Sequence, residues 1–353
     1  MILRRSPTLL SHQYIERRTS RIIDEKLYAD RVIQFLYSQV REHAAPLFRA
    51  FTSCWATKTL GSFNFDLPLC CQVERLKKFM RRAGVDFSEC LVPESELTTA
   101  RKIFERQIRY WECRPMNNLP AAIVSPADAL LLVGSLAPNS TIFLKNKFFT
   151  YEELLGLDRS RWLSAFRGGE IAIFRLTPDK YHYNHLPVSG RIIDFYELQG
   201  DYHSCNPGAV VREVTPFSKN RRVVTIIDTD CEGGSQVGLA AMVEVVALMI
   251  GEIVQCYSSE AYNNPCQLEI GMMVQKGQPK SLYRPGSSTD ILLFQRGKVL
   301  FYPDLLANRK TTAVHSRFST GFSTPMVETE VAVRSSIALG VGSLHGETYG
   351  DNQ

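Results

Sequence analysis

Pro285-Gly286-Ser287-Ser288-Thr289-Asp290-Ile291-Leu292-Leu293-Phe294 joins a turn of small residues directly to an apolar run. Gly and Pro punctuate local structure, and a short apolar run bounded by such a turn reads as a buried strand. The same texture extends both ways. Upstream, Ala122 to Val124, Thr141 to Leu144, Glu170 to Arg175, Gly190 to Phe195, Arg222 to Asp228 and Ala240 to Ile253 are short β-branched runs separated by Gly, Pro and Asn, and downstream Glu330 to Val333 is another. Strands do not alternate with helical periods, which argues against a doubly wound parallel sheet. Ala307 to Met326, rich in Ser and Thr without periodicity, is expected to be a loop.

Before Pro120 the apolar period changes. From Arg21 to Val40 the residues Ile22, Ile23, Leu27, Ile33, Leu36, Tyr37 and Val40 recur mostly at steps of three and four, the spacing of a helix face. Leu69, Val73, Leu76, Phe79, Met80 and Ala83 predict a second helix stopped by Gly84. Leu97, Ala100, Phe104, Ile108 and Trp111 predict a third, with Ser95 placed to cap it. The fold class is therefore α+β: a helical N-terminal region over 1–118, a mainly β catalytic domain over 119–339, and a flexible tail over 340–353.

Of 353 residues, 44% are apolar and 22% charged, which supplies a core and excludes global disorder. A net charge of +5 is too small to imply nucleic-acid binding. No run reaches the roughly 18 apolar residues of a spanning helix, because Val237 to Val254 carries Glu244 and Glu252. A cytoplasmic protein, or one peripheral to a membrane, is expected. Nine cysteines without a Cys-x-x-Cys spacing point to free thiols in a reducing compartment, with no metal. The helix from Leu69 to Ala83 carries Arg75, Lys77, Lys78, Arg81 and Arg82 opposite its apolar stripe, which suits either an anionic membrane surface or ordinary packing with solvated charges.

Four segments concentrate reactive side chains: Ser125-Pro126-Ala127-Asp128, Tyr181-His182-Tyr183-Asn184-His185-Leu186-Pro187, Tyr202-His203-Ser204-Cys205-Asn206-Pro207, and the turn at Ser287-Ser288. An Asp, a His and a Ser in that chain order can activate a serine, the imidazole taking the hydroxyl proton. Order alone is weak, with seven histidines present and no Gly-x-Ser-x-Gly elbow. Standing alone, Asp128 is a turn-capping carboxylate, the histidines are polar loop or core residues, and the serines form a tight turn.

Together the segments resemble, in order and spacing, the phosphatidylserine decarboxylase family of pyruvoyl enzymes. The resemblance runs from about Phe104 to Val333 through Arg114-Pro115, Ser125 to Asp128, Tyr151 to Gly156, His182-x-x-His185-x-Pro187-x-x-Gly190, Ser204 to Pro207, Val245 to Gly251, Lys276-Gly277 and Gly286 to Phe294. It implies a proenzyme in which Ser288, activated by His185 with Asp128 behind it, attacks the preceding carbonyl. The resulting ester eliminates, and residue 288 becomes a pyruvoyl group heading a short α chain, with the longer β chain upstream. His182 then matches the family's histidine near the substrate, positioning the carboxylate or delivering the proton, and His203 and Asn206 are weaker substrate-binding choices. Where the family usually has Gly before the nucleophile this chain has Ser287, so Ser287-Ser288 is the expected bond and Gly286-Ser287 the runner-up. Lys280-Ser281 is a second departure, where family members often carry a small apolar residue and Gly. The implied substrate is phosphatidylserine at a peripheral membrane surface. A free, aromatic amino acid is the alternative, and a homodimer is left open. Further readings are an uncleaved paralogue without catalysis and a serine hydrolase using the same three residues.

Overall fold

The computed structural model describes residues 11–27, 30–40, 44, 70–140, 144, 148–213, 215–248, 252–285 and 288–342. Ser288–Phe294 lies inside a ten-stranded sheet whose spatial order is Met273–Val274, Gly190–Leu198, Arg222–Asp228, Leu239–Val246, Ser288–Phe294, Glu170–Leu176, Ala129–Ser135, Thr329–Val331, Gln13–Glu16 and Arg21–Asp24. Its neighbours run antiparallel, with Ser288 opposite Val246 on one side and Leu176 on the other. Gln13–Glu16 with Thr329–Val331 is the parallel pair.

Side chains alternate between the two faces. Ile291 and Leu293 join Val243, Val245, Ile171 and Ile173 in a core covered by Tyr151–Leu155, Ser160–Ala165 and Arg317–Phe322. Leu292 and Phe294 join Met242, Phe174 and Leu176 in the other core. Two three-stranded sheets contribute to that second core: Ile253–Gln255, Pro279–Tyr283 and Tyr183–His185 form one, and Val299–Phe301, Ser336–Gly340 and Ala122–Val124 the other. Burial on both faces is why the central strand is apolar without alternation.

The helical reading of the first third needs correction in part. Cys70–Arg82 is a helix, followed by Gly84 at φ +92°. Arg21–Asp24 is instead a strand paired with Gln13–Glu16, because the sheet edge supplies partners that local periodicity cannot anticipate. Helix resumes at Asp30–Phe35. The third helix breaks into Ala100–Phe104 and Tyr110–Cys113, capped by Thr99 rather than Ser95. Ala307 to Met326 holds the end of helix Pro303–Lys310 and all of Arg317–Phe322, the latter capped by Ser316. Ala240 to Ile253 divides into Leu239–Val246 and a separate strand, Ile253–Gln255. Most of Thr141 to Leu144 lies outside the described residues, as does 343–353 of the tail expected over 340–353, whereas Gly340 closes the strand Ser336–Gly340.

The apolar stripe of Cys70–Arg82 is covered by the protein itself, with Val73 and Met80 packed against Phe87, Cys90, Leu97 and Ile103. Lys77 is buried and donates to the Glu94 carbonyl, while Arg81 pairs with the Glu94 carboxylate. No helix among the described residues is long and apolar enough to cross a membrane.

Candidate active site

Ser288 opens the central strand at 1% exposure, and its Oγ has no hydrogen-bond partner among the described residues. Strand alternation puts Ser288 and Asp290 on one face. Asp290 Oδ1 accepts from the Tyr283 hydroxyl at 2.7 Å, so this face looks onto the small sheet that carries His185. Thr289 points to the opposite face, where its hydroxyl meets Cys205 Sγ at 3.0 Å. Burial pushes that thiol up to about 12, so Cys205 is a neutral packing group. Ser287, the other half of the expected bond, lies outside the described residues.

His185 ends the strand Tyr183–His185 and is fully buried. Its backbone N–H donates to the Pro126 carbonyl at 2.7 Å, which locks it to the Ser125–Asp128 turn. Nδ1 lies 2.9 Å from the Gly277 carbonyl, a group that only accepts, so Nδ1 carries the proton and Nε2 offers its lone pair. Nε2 faces the Tyr181 hydroxyl at 3.0 Å. Burial drives the pKa of His185 down to about 3, against a smaller upward pull from Gly277, and the ring is a neutral base at neutral pH.

Asp128 does not fill the place expected for it. Both ring nitrogens of His185 are bonded elsewhere, and the Asp128 carboxylate instead grips Arg114, with Nη2 to Oδ2 at 2.9 Å and Nε to Oδ1 at 3.1 Å. It also accepts the Val333 N–H at 2.7 Å. Burial raises its pKa, but Arg114 and these bonds outweigh burial and hold it below the ordinary value. The carboxylate thus ties residues 114, 128 and 333 together beneath the turn that holds His185, and Gly277 fixes the imidazole tautomer. Gly277 has φ +75°. The preceding Lys276 anchors the same loop, donating to the carbonyls of Leu119 at 2.6 Å and Ala122 at 2.9 Å.

His182 is fully buried, stacked on Phe104 with ring centroids 3.6 Å apart, and among the described residues neither nitrogen has a hydrogen-bond partner. Burial, reinforced by Arg106, pushes its pKa down to about 3. His203 is buried beside Tyr37, with Asp201 at 3.6 Å. Asn206 caps the short helix Pro207–Val210 by accepting the Gly208 N–H at 2.8 Å, which is a structural task.

The departure at Lys280-Ser281 has a partner that the motif reading missed. Lys280 and Glu244 form a fully buried ion pair, and Ser281 and Asn184 also donate to the Glu244 carboxylate. Gln255 brackets the pair, accepting from Lys280 at 3.0 Å and donating to Glu244 at 3.2 Å. Burial, then the Glu244 charge, raises the Asp290 pKa well above the usual carboxylate range, so Asp290 is a neutral acid. A charged residue inside each of two apolar strand runs, Glu244 and Asp290, was the available signal. Tyr262, which touches Tyr181, belonged to no motif.

A family model described as phosphatidylserine decarboxylase matches residues 100–316. The phosphatidylserine decarboxylase proenzyme of Fusobacterium nucleatum is 29% identical over 301 residues, covering 84% of this chain and 91% of that one. Phosphatidylserine decarboxylase proenzyme 3 of Schizosaccharomyces pombe is 29% identical over 300 residues, 84% of this chain but 29% of the longer relative. The proenzyme of Chlamydia trachomatis is 28% identical over 296 residues, 83% of this chain and 90% of its own.

Proposed function

The chain belongs to the phosphatidylserine decarboxylase family of carboxy-lyases, and on that premise we propose that it is a proenzyme that cuts itself between Ser287 and Ser288 and then decarboxylates phosphatidylserine. The observation that best supports this reading is the unengaged hydroxyl of Ser288, buried at the start of the central strand and facing the small sheet that bears His185. Buried hydroxyls nearly always have partners, and one without a partner calls for an explanation, of which a catalytic role is one.

In this reading His185 Nε2 removes the Ser288 hydroxyl proton as the oxygen attacks the carbonyl carbon of residue 287. The amide C–N bond breaks, the nitrogen of residue 288 takes the proton, and an ester remains. Elimination across Cα–Cβ of residue 288 releases residues 1–287 with a free carboxyl group. Hydrolysis of the dehydroalanine, with loss of ammonia, leaves a pyruvoyl group on the new α chain. Only a side chain whose β-oxygen can accept the acyl group and then leave permits this sequence. The pyruvoyl group supplies an electron-withdrawing ketone to a substrate amine. His182, neutral and with no partner for its ring nitrogens among the described residues, holds the substrate carboxylate or delivers the proton that replaces carbon dioxide. His203 and Asn206 are the weaker candidates for contacting the substrate. Residues 119–339 form the catalytic domain, with the hairpin 13–24 completing its sheet.

Denaturing gels with intact mass spectrometry test the cut. A 66-residue α chain lacking a free amine is expected from 353 − 287. Ser288→Ala and His185→Ala should leave one full-length chain, and Ser287→Ala should still cut. If Ser287→Ala blocks the cut while Ser288→Ala permits it, the bond is Gly286-Ser287. Carbon dioxide release from phosphatidylserine vesicles, compared with free tryptophan, tyrosine and serine, tests the substrate.

A further inference from the structure

His185 Nε2 has a single lone pair, and the Tyr181 hydroxyl stands on it. Tyr181 Oη is also 2.6 Å from Tyr262 Oη, and Tyr262 Oη is 2.9 Å from the Ile108 carbonyl. These three short contacts each need a proton between the heavy atoms, yet the two phenols own only two. Burial pushes the Tyr181 phenol well above its ordinary pKa, so it stays protonated, and the Ile108 N–H, 3.2 Å from Tyr262 Oη, already points at a lone pair.

Two arrangements therefore compete. In one, Tyr262 donates to Tyr181 and Tyr181 donates to Nε2, which masks the base. The Ile108 carbonyl is not orphaned, because it accepts the Tyr110 N–H at 2.8 Å. In the other, both hydroxyls rotate outward, Tyr181 donating to Tyr262 and Tyr262 to Ile108, and Nε2 is open. The exchange turns two C–O bonds, and with lone pairs then facing each other across 3.0 Å the Tyr181 oxygen gives way to the serine hydroxyl.

We propose that the Tyr181–Tyr262 pair is a hydroxyl switch that sets how often His185 is free to take the Ser288 proton, making Tyr181 a positioning residue for self-cleavage. This rests on the reading of His185 as the base. The serine cannot use Nε2 while Tyr181 occupies it, so the rate of maturation scales with the outward population.

The test is a pair of conservative substitutions in the full chain, with the uncut precursor followed by pulse–chase and denaturing gels. Tyr181→Phe removes the mask and should mature faster, by about fivefold, the ratio that one ordinary hydrogen bond sets. Tyr262→Phe removes the outward acceptor, leaves Tyr181 with only Nε2, and should mature more slowly by a similar factor. The double variant should behave like Tyr181→Phe. A merely structural role would slow both single variants or neither, and any pattern other than opposite signs overturns the switch. His185→Ala is the control: normal maturation there defeats the base assignment itself, whereas a block there with same-sign tyrosine effects defeats only the switch. Thermal melting of each uncut chain in the Ser288→Ala background separates misfolding from slowed chemistry.

Discussion

Acid should unfold this protein through two particular imidazoles. His182 and His185 are fully buried and have pKa values near about 3, compared with about 6.5 in an unfolded chain. Between those limits the unfolded state binds more protons, so stability falls as pH falls. Above about 6.5 neither state is protonated and the penalty is absent, and below about 3 it is complete. Going from about pH 7 to about pH 4.5 should remove about 2.5 kcal/mol per histidine, or about 5 kcal/mol for both, comparable with the whole stability of many domains. Urea unfolding of the uncut Ser288→Ala chain, monitored by circular dichroism across that range, measures this. Buried carboxylates such as Glu328, held down at about 2, also lose stability in acid, so the informative quantity is a difference. His182→Gln/His185→Gln should flatten the dependence by roughly 2.7 kcal/mol per pH unit near about pH 5. Coincident slopes for parent and variant would show that the rings are protonated or solvated in the folded state, and the neutral-base argument would fall with them.

Lys280→Met strands the Glu244 carboxylate in the core and should destabilise by about 3–5 kcal/mol, most of it recovered in Lys280→Met/Glu244→Met; additive losses in chemical denaturation would contradict the pairing. Arg114→Met and Asp128→Asn should both impair maturation, because both sever the tie beneath the His185 turn; pulse–chase showing normal cutting in one and none in the other would separate their roles. Gly277→Ala places a Cβ at a φ of +75° and against Met116 Sδ, so it should destabilise by about 1–2 kcal/mol and slow maturation as the carbonyl leaves His185 Nδ1. An unchanged rate would remove Gly277 from the mechanism.

How legible these features were depended on how local their causes are. Cys70–Arg82 was readable because its apolar stripe and terminal Gly84 act within the helix. Ser288–Phe294 was readable because burial on both faces leaves an apolar run. Arg21–Asp24 was not, since it becomes a strand only where Thr329–Val331, some three hundred residues away, offers its partner strand an edge. His185 and Ser288 could be named from order and spacing. The carbonyl that fixes the imidazole could not, because backbone oxygens leave no mark in a sequence. Asp128 was singled out, but its partner Arg114 was decided by geometry across fourteen residues.

Ser288–Phe294 lies between Leu239–Val246 and Glu170–Leu176, and Thr329–Val331 between Gln13–Glu16 and Ala129–Ser135. Ser336–Gly340 is likewise flanked by Ala122–Val124 on one side. Scission before Ser288 would thus leave the downstream fragment woven into strands of the upstream one, and the two would stay together without a covalent link. Folding of the intact precursor is unimolecular. Refolding of the severed protein would be bimolecular, dependent on concentration and on a fragment that has no complete core of its own. Time would run one way for such a molecule: the sheet must close before the chain is broken, and a broken chain that once unravels has lost the tether that first brought its strands into register.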